Sequence, residues 1–364
     1  MKSLHSTITS AGELHLELRD IELPAPTGDQ VVVRIEAAPV NPSDLILVTG
    51  PADLETARRD GNRLVASVPK QRLPFVAGRL DQAMPTGNEG AGTVIDAGDG
   101  ARQLIGKRVG LASGGMYAEL KLGRALECLV LPDGASAADG AASTINPMTA
   151  LSMPEVMRRE GHTALVHTAA ASNLGQMLVK ICKADKVPLV NIVRKAEHVA
   201  LLKELGATHV VDSSLPSFRS DLIAALADTG ATLCFDAIGG GTMASTVLGC
   251  MEAVAAKGKP WSRYGTSVHK QVYIYGRLDL SPTVLDGAAG LAYGVAGFLV
   301  SNFLAKAGME TILKMRGRVL AELTTTFASH YGKTIALADL LDPAVLRDVN
   351  QRATGAKALV VPNR

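Results

Sequence analysis

HTALVHTAAASNLG, residues 162–175, runs an apolar strand into a turn of small residues, and Gln176-Met177-Leu178-Val179-Lys180 continues it as an amphipathic helix. Strand, tight turn and helix in that order form the phosphate-binding start of a dinucleotide fold. The fingerprint asks for glycine at three places: for the turn, for close approach of backbone to diphosphate, and for helix–strand packing. Ala170, Ser172 and Gly175 stand there. Alanine and serine are small enough to admit a diphosphate, whose charge a helix N-terminus would meet. Small residues also serve packing alone, so the turn by itself leaves both readings open.

Outward from this turn, short apolar strands alternate with helical stretches. Thr163–His167, Leu189–Val193, His209–Val211 and Thr232–Phe235 read as strands; Gln176–Ala184, Ala196–Leu205 and Asp221–Ala227 read as the helices between them. This spacing predicts a doubly wound parallel sheet. The second strand ends in Arg194-Lys195, where an NAD site places an acid for the ribose hydroxyls. A guanidinium can bind a 2′-phosphate with two parallel hydrogen bonds, which favours NADPH. A solvated basic pair at a strand end is the plainer alternative.

Before about Leu131 the texture differs. Val31–Ile35, Gly92–Ile95, Lys107–Gly110 and Tyr117–Leu120 are short strands among Gly, Pro and Asp punctuation, which suits a β-rich, partly open barrel. Gly50–Gly87 carries few strand signals and the bases Arg58, Arg59, Arg63, Lys70 and Arg72, and is expected to be a long loop, either a solvated excursion or an anion-binding lid. After Leu304 a helix-rich segment leads to Lys357–Val361, a last strand expected to return to the first domain. The expected division is 1–140 with 304–364, and 141–303.

Composition narrows the classes. The chain has 364 residues, 47% hydrophobic and 20% charged, enough for two cores. A formal charge of +2, with no basic tract holding aromatics, argues against nucleic acid. The apolar run Gly290–Leu304 is shorter than the roughly 20 residues that a spanning helix needs. Met1–Ser10 shows no signal-peptide pattern, and Cys128, Cys182, Cys234 and Cys250 form no CxxC pair. A reducing cytoplasm is expected.

Six ordered motifs now resemble the medium-chain dehydrogenase/reductase superfamily, in its zinc-free quinone oxidoreductase and enoyl reductase branch. They are Ala38–Asp44, Gly87–Val94, Asn146–Ala150, Leu205–Asp212, Asp236–Gly240 and Gly355–Val360, and they cover nearly the whole chain. The resemblance implies a GroES-like substrate domain beside a Rossmann domain, and a homodimer. It sets Asn41, Asn88 and Asn146 where the zinc enzymes hold their catalytic metal. Neutral amides are poor zinc ligands beside thiolate and imidazole, so no metal is expected.

The resemblance also assigns sites. Asn41 and Thr149 lie against the nicotinamide end, with Asn41 the candidate catalytic residue; an Asx-turn role before Pro42 is its alternative. Ala170, Ser172, Asn173, Leu174 and Gly175 hold the diphosphate, Arg194 and Lys195 the 2′-phosphate, and Ile238 lies beside the adenosine ribose. Tyr275 and Gly276 lie beneath the nicotinamide ribose. Phe298 and Leu299 combine sheet pairing between subunits with contact to the cofactor amide, and Lys357 of the terminal strand is given to the cofactor. Enoyl thioester reductases of the branch carry a tyrosine where this chain has Leu45–Pro51; Tyr117 and Tyr264 are alternatives, and the proton donor stays unassigned.

The expected activity is NADPH-dependent hydride transfer to the activated C=C bond of an α,β-unsaturated carbonyl compound. The alternatives are an NADPH:quinone oxidoreductase and a low-turnover NADPH-binding redox sensor.

Overall fold

Period-two burial shapes the amino-terminal strands of this chain, seen in a computed structural model that describes residues 1–351 and 357–364. Gly355 and Ala356 of the terminal motif lie outside the described residues. In chain order come β1 (Lys2–Ile8), β2 (Glu13–Asp20), β3 (Gln30–Pro39), α1 (Pro42–Val48), β4 (Asp53–Asp60), β5 (Arg63–Ser67), β6 (Met84–Pro85), β7 (Gly90–Ala97), β8 (Arg108–Leu111), β9 (Leu120–Arg124) and β10 (Leu129–Val130). Next are α2 (Ala137–Ala141), α3 (Ile145–Arg159), β11 (Leu165–His167), α4 (Asn173–Asp185), β12 (Leu189–Val193), α5 (Ala196–Glu204) and β13 (His209–Asp212). α6 (Phe218–Thr229), β14 (Leu233–Asp236), α7 (Met243–Ala256), β15 (Lys270–Ile274), β16 (Tyr293–Gly297), α8 (Val300–Ala307) and α9 (Met309–Ala321) follow. β17 (Lys333–Ile335), α10 (Pro343–Asn350) and β18 (Ala358–Val360) complete the order.

Two units result: Met1–Asn146 with Arg318–Arg364, and Pro147–Gly317. The boundaries expected at 140/141 and 303/304 thus move to 146/147 and 317/318. Glu89 holds the backbone N–H groups of Thr144 and Ile145, which keeps the start of α3 in the first unit. Arg159 donates to Ala307 O and Thr311 Oγ1 and lies over the Phe303 ring, which fastens α8 and the start of α9 to the second.

The first unit is two sheets over one core. One has the order β4-β5-β2-β1-β6, the other β10-β8-β7-β3-β18-β17 with β9 also on β3. Leu4, Ile8, Leu14 and Leu16 from one sheet pack with Val31, Val33, Ile35, Val94 and Val109 from the other, which accounts for the expected β-rich barrel-like texture. The terminal strand does return here: β18 pairs antiparallel with β3 and parallel with β17.

Two local expectations are corrected. Gly50–Gly87 is not a structureless loop: β4 and β5 form a hairpin across Gly61-Asn62, and β5 pairs with β2. Leu64, Val65 and Ala66 are buried there, whereas β4 is a polar edge strand bearing Arg58 and Arg59, the kind of charge that blunts a sheet edge. Residues 117–119 are not strand; β9 begins at Leu120. Tyr117 turns inward instead, with its hydroxyl donating to Pro39 O at 3.0 Å.

The second unit is one parallel sheet, β13-β12-β11-β14-β15-β16. Val166, Val190, Ile192, Cys234 and Val272 from its strands meet Leu222, Leu226, Val247 and Leu248 of α6 and α7. The order reverses between β11 and β14, the place where such sheets open a crevice at the carboxyl ends of their strands. Lys270 is fully buried and paired with Glu252, which also accepts from the Thr266 N–H and hydroxyl. This pins the end of the 257–270 excursion while Trp261 stays 88% exposed.

One close approach sets the register of the first unit. A Cβ at Gly92 would lie 1.9 Å from Arg34 O across the β3–β7 pairing. Gly92→Ala is therefore expected to cost about 1–3 kcal/mol, read as an earlier urea transition of this unit; an unmoved transition would show that β3 and β7 can part freely.

Candidate functional site

In the second unit the small-residue turn follows β11 directly. Ala169 takes a positive φ of 50°, uncommon for a residue with a Cβ. Ser172 is the N-cap of α4, its hydroxyl accepting from Gly175 N at 3.2 Å. Asn173, Leu174 and Gly175 form the first turn of that helix. A Cβ on Gly175 would stand 2.1 Å from Ala170 O, so the third fingerprint glycine is required by packing of turn on helix. Ala170 is fully buried, its N–H donating to Ile192 O of β12.

Because every strand of this sheet is parallel, the residues after β11, β12, β14, β15 and β16 emerge along one edge. Arg194 and Lys195 follow β12, both exposed. Lys195 pairs with Glu197 at 3.2 Å, while Arg194 makes no ion pair among the described residues. At the end of β14, Asp236 collects Thr168 Oγ1 at 2.6 Å, Ile238 N at 2.9 Å and Gly239 N at 3.1 Å. The turn bearing Ile238 is thereby locked to the strand before the small-residue turn. Tyr275 follows β15, its hydroxyl 2.7 Å from His167 Nε2. Burial pushes His167 down to about 3, so its imidazole is neutral at physiological pH. Phe298 follows β16 and meets Phe235 edge-on, and Leu299 is exposed. Thr149 is buried on α3 of this unit.

In the first unit Asn41 precedes α1, but its side chain does not cap that helix. Its Nδ2 donates to Glu89 Oε1 at 2.8 Å, and its N–H to Asp44 Oδ2 at 2.8 Å. Asp44 Oδ1 accepts from Asn88 N at 2.7 Å. Glu89 Oε2 takes the Thr144 N–H and hydroxyl and the Ile145 N–H. Asp44 and Glu89 are both fully buried. Burial pushes Asp44 up to about 7 against the pull of its two backbone donors, with the charge of Glu89 adding to the rise. Lys357 joins this cluster: its Nζ is buried, burial lowers its pKa, and Glu89 and Asp44 oppose that fall.

Sequence reasoning picked out Asn41 and Lys357 but missed the carboxylates that surround them. Asp44 and Glu89 lie inside the very motifs quoted, Ala38–Asp44 and Gly87–Val94, and an acid embedded in an apolar, glycine-rich run was the available signal. His167 was read only as part of a strand. Tyr117 belongs to the first unit, with its hydroxyl on Pro39 O, and Tyr264 is exposed in the second.

The donor set does not fit zinc. Asn41 offers its amide N–H to Glu89, and Asn88 donates its side chain to Ser43 Oγ at 3.1 Å. The four cysteines are buried singly, and burial raises the Cys234 thiol far above its ordinary range. Among the described residues no three His, Cys, Asp or Glu side chains gather as a ligand group.

Two family models match the chain, the alcohol dehydrogenase GroES-like domain over residues 27–145 and the zinc-binding dehydrogenase over residues 174–259. The mitochondrial enoyl-[acyl-carrier-protein] reductase of Bos taurus is 29% identical over 207 residues, 54% of this chain and 48% of that protein. The chain spans about half the length of the curated relatives it matches. A putative NADPH:quinone reductase from Mesorhizobium loti superposes with a TM-score of 0.74 at 27% identity, covering 100% of this chain and 98% of that one. The Escherichia coli quinone oxidoreductase complexed with NADPH, 17% identical, shares the fold over 100% of both chains at a TM-score of 0.70.

Asp44 makes a signed prediction. Unfolded, an aspartate titrates near 4; folded, Asp44 titrates near 7. Between these values the native state holds a proton that the unfolded chain releases. The stability it contributes is complete below about pH 4 and is lost as pH rises through about 7. Asp44→Asn, which mimics the protonated form, should therefore gain on the wild type between pH 4.5 and 7.5 in urea unfolding. A gap that stays constant with pH would place the proton elsewhere.

Proposed function

Since the chain belongs to the medium-chain dehydrogenase/reductase superfamily, in its quinone oxidoreductase and enoyl reductase branch, we propose that it is an NADPH-dependent reductase of α,β-unsaturated carbonyl compounds that works without a metal. One observation carries the cofactor: the strand beside the small-residue turn is followed by an exposed guanidinium, Arg194, with no ion pair among the described residues, where an NAD site needs a carboxylate. The turn from Ala170 to Gly175 would hold the diphosphate at the start of α4. Arg194, with Lys195, would hold the 2′-phosphate. The turn at Ile238, ordered by Asp236, would flank the adenosine ribose, and Tyr275, Gly276, Phe298, Leu299 and Thr149 would frame the nicotinamide end. When bound, NADPH supplies a hydride.

Reduction of an activated double bond suits a site with neutral amides at the positions of metal ligands. It asks for hydrogen-bond donors at a developing oxyanion rather than for a Lewis acid able to deprotonate an alcohol. Reduction of a quinone by the same groups is the second reading, favoured by the similarity to the putative NADPH:quinone reductase. The exposed edge of β16 beside Leu299 supports pairing of two copies into a homodimer, and four cysteines that form no disulfide support a cytoplasmic setting.

NADPH oxidation against enones, enoyl thioesters and quinones tests the activity. Turnover with an enone, insensitive to metal chelation, is expected; NADPH binding without turnover on any acceptor would leave a redox sensor. In Arg194→Ala the affinity for NADPH should fall about 10- to 100-fold while that for NADH holds. Equal losses for both cofactors would overturn the assignment of the 2′-phosphate.

A further inference from the structure

β11 ends in a histidine whose ring is held from one side only. His167 is fully buried, and its Nε2 stands 2.7 Å from Tyr275 Oη. The two rings are stacked, 5.7 Å apart at 20°. Both residues belong to the second unit. His167 is the last residue of β11, ahead of the turn that starts α4, and Tyr275 follows β15. The strands are parallel, so the pair lies at the carboxyl edge from which the small-residue turn and the Ile238 turn emerge. Phe235, in register with His167 on the neighbouring strand, is stacked on Tyr273 and edge-on to Phe298.

Titrating at about 3, the imidazole is neutral and carries one proton, on one nitrogen or the other. Nδ1 is buried with no hydrogen-bond partner. A proton there would be a buried N–H without an acceptor, while Nε2 accepted the tyrosine O–H. A proton on Nε2 leaves only an unfilled lone pair at Nδ1, the less rare of the two defects. Nε2–H then donates to Tyr275 Oη, and the tyrosine keeps its own proton free. Among the described residues no other group hydrogen-bonds that hydroxyl. Burial raises the pKa of Tyr275 above its ordinary range, so it stays a donor at physiological pH.

We infer that His167 is a positioning residue of the dinucleotide site: it carries its proton on Nε2, donates to Tyr275 Oη, and so leaves the tyrosine O–H for an oxygen acceptor on the nicotinamide riboside of NADPH. This rests on the cofactor reading above. A phenol hydroxyl turns about its C–O bond until a partner fixes it. Here the ring is held by stacking and the oxygen by Nε2–H, which leaves the remaining O–H a narrow range of directions. Accepting from the imidazole also polarises that O–H and strengthens it as a donor. The riboside offers neutral oxygens, those of its ribose hydroxyls and its carboxamide. A neutral donor meets them without the desolvation cost that a charged one would carry.

The test uses the full chain labelled with ¹⁵N-histidine, and His167→Gln to identify the signal. Without ligand, the NMR spectrum should show a proton on Nε2 of His167 and a bare Nδ1; the reverse overturns the inference. Calorimetry then compares NADPH with 2′,5′-ADP, which lacks the nicotinamide riboside. Tyr275→Phe keeps the stacked ring and should bind NADPH about 3- to 10-fold more weakly, with 2′,5′-ADP bound as by the wild type. His167→Leu should lose the same factor for NADPH alone, and the double variant should lose no more, because the hydroxyl acts only while it is held. His167→Gln offers an N–H in place of Nε2 and should keep most of the wild-type affinity. Equal losses for both ligands, or losses that simply multiply in the double variant, reduce the pair to packing and overturn the inference. Should His167→Leu fail to fold, Tyr275→Phe and the spectrum decide by themselves. Should the wild type bind neither ligand, the cofactor reading fails and takes the riboside contact with it, while the spectrum still decides the tautomer.

Discussion

The carboxylate of Glu89 is fully buried, yet it collects four hydrogen bonds from two distant stretches of chain: the amide of Asn41, the backbone and hydroxyl of Thr144, and the N–H of Ile145. A buried charge is tolerable only when such partners replace the water it has lost. Thr144 and Ile145 open α3, so the anion also faces the positive end of a helix dipole. This one group fixes the side chain of Asn41, the start of α3 and the field in which Asp44 and Lys357 sit. Removing its charge would loosen all of them together.

The second unit, with its parallel sheet, was largely legible from the chain. Strands such as Leu189–Val193 are buried along their whole length and show as continuous apolar runs, and the strand–turn–helix at 165–175 is local in sequence. Arg194 was visible for the same reason: it follows its strand directly. The terminal strand was also readable, because Ala358–Val360 is a fully buried run.

What the chain concealed was non-local. Asp44 and Glu89 gain their character from burial beside each other and beside Lys357, groups far apart in sequence. An acid in an apolar, glycine-rich run hints at burial, but the run does not record which distant groups will surround it. The β4–β5 hairpin was hidden by its polar edge strand, although Gly61-Asn62 ahead of Leu64-Val65-Ala66 is a two-residue turn signal. The domain limits shifted for a similar reason, since single contacts such as Arg159 with Ala307 decide which unit a connecting helix joins.

One of the partners of β3 comes from the opposite end of the sequence: Ala38 and Pro39 pair with Val360 and Leu359. The parallel sheet, by contrast, is drawn from one uninterrupted span, 147–317. Contacts that close long loops form late, and chains emerge from the ribosome amino end first. The second unit can therefore complete itself during synthesis, whereas its companion must wait, with the Ala38-Pro39 end of β3 lacking its β18 partner, until residues 358–360 are made. In a cell this interval is when the nascent chain is most exposed to aggregation and most dependent on chaperones.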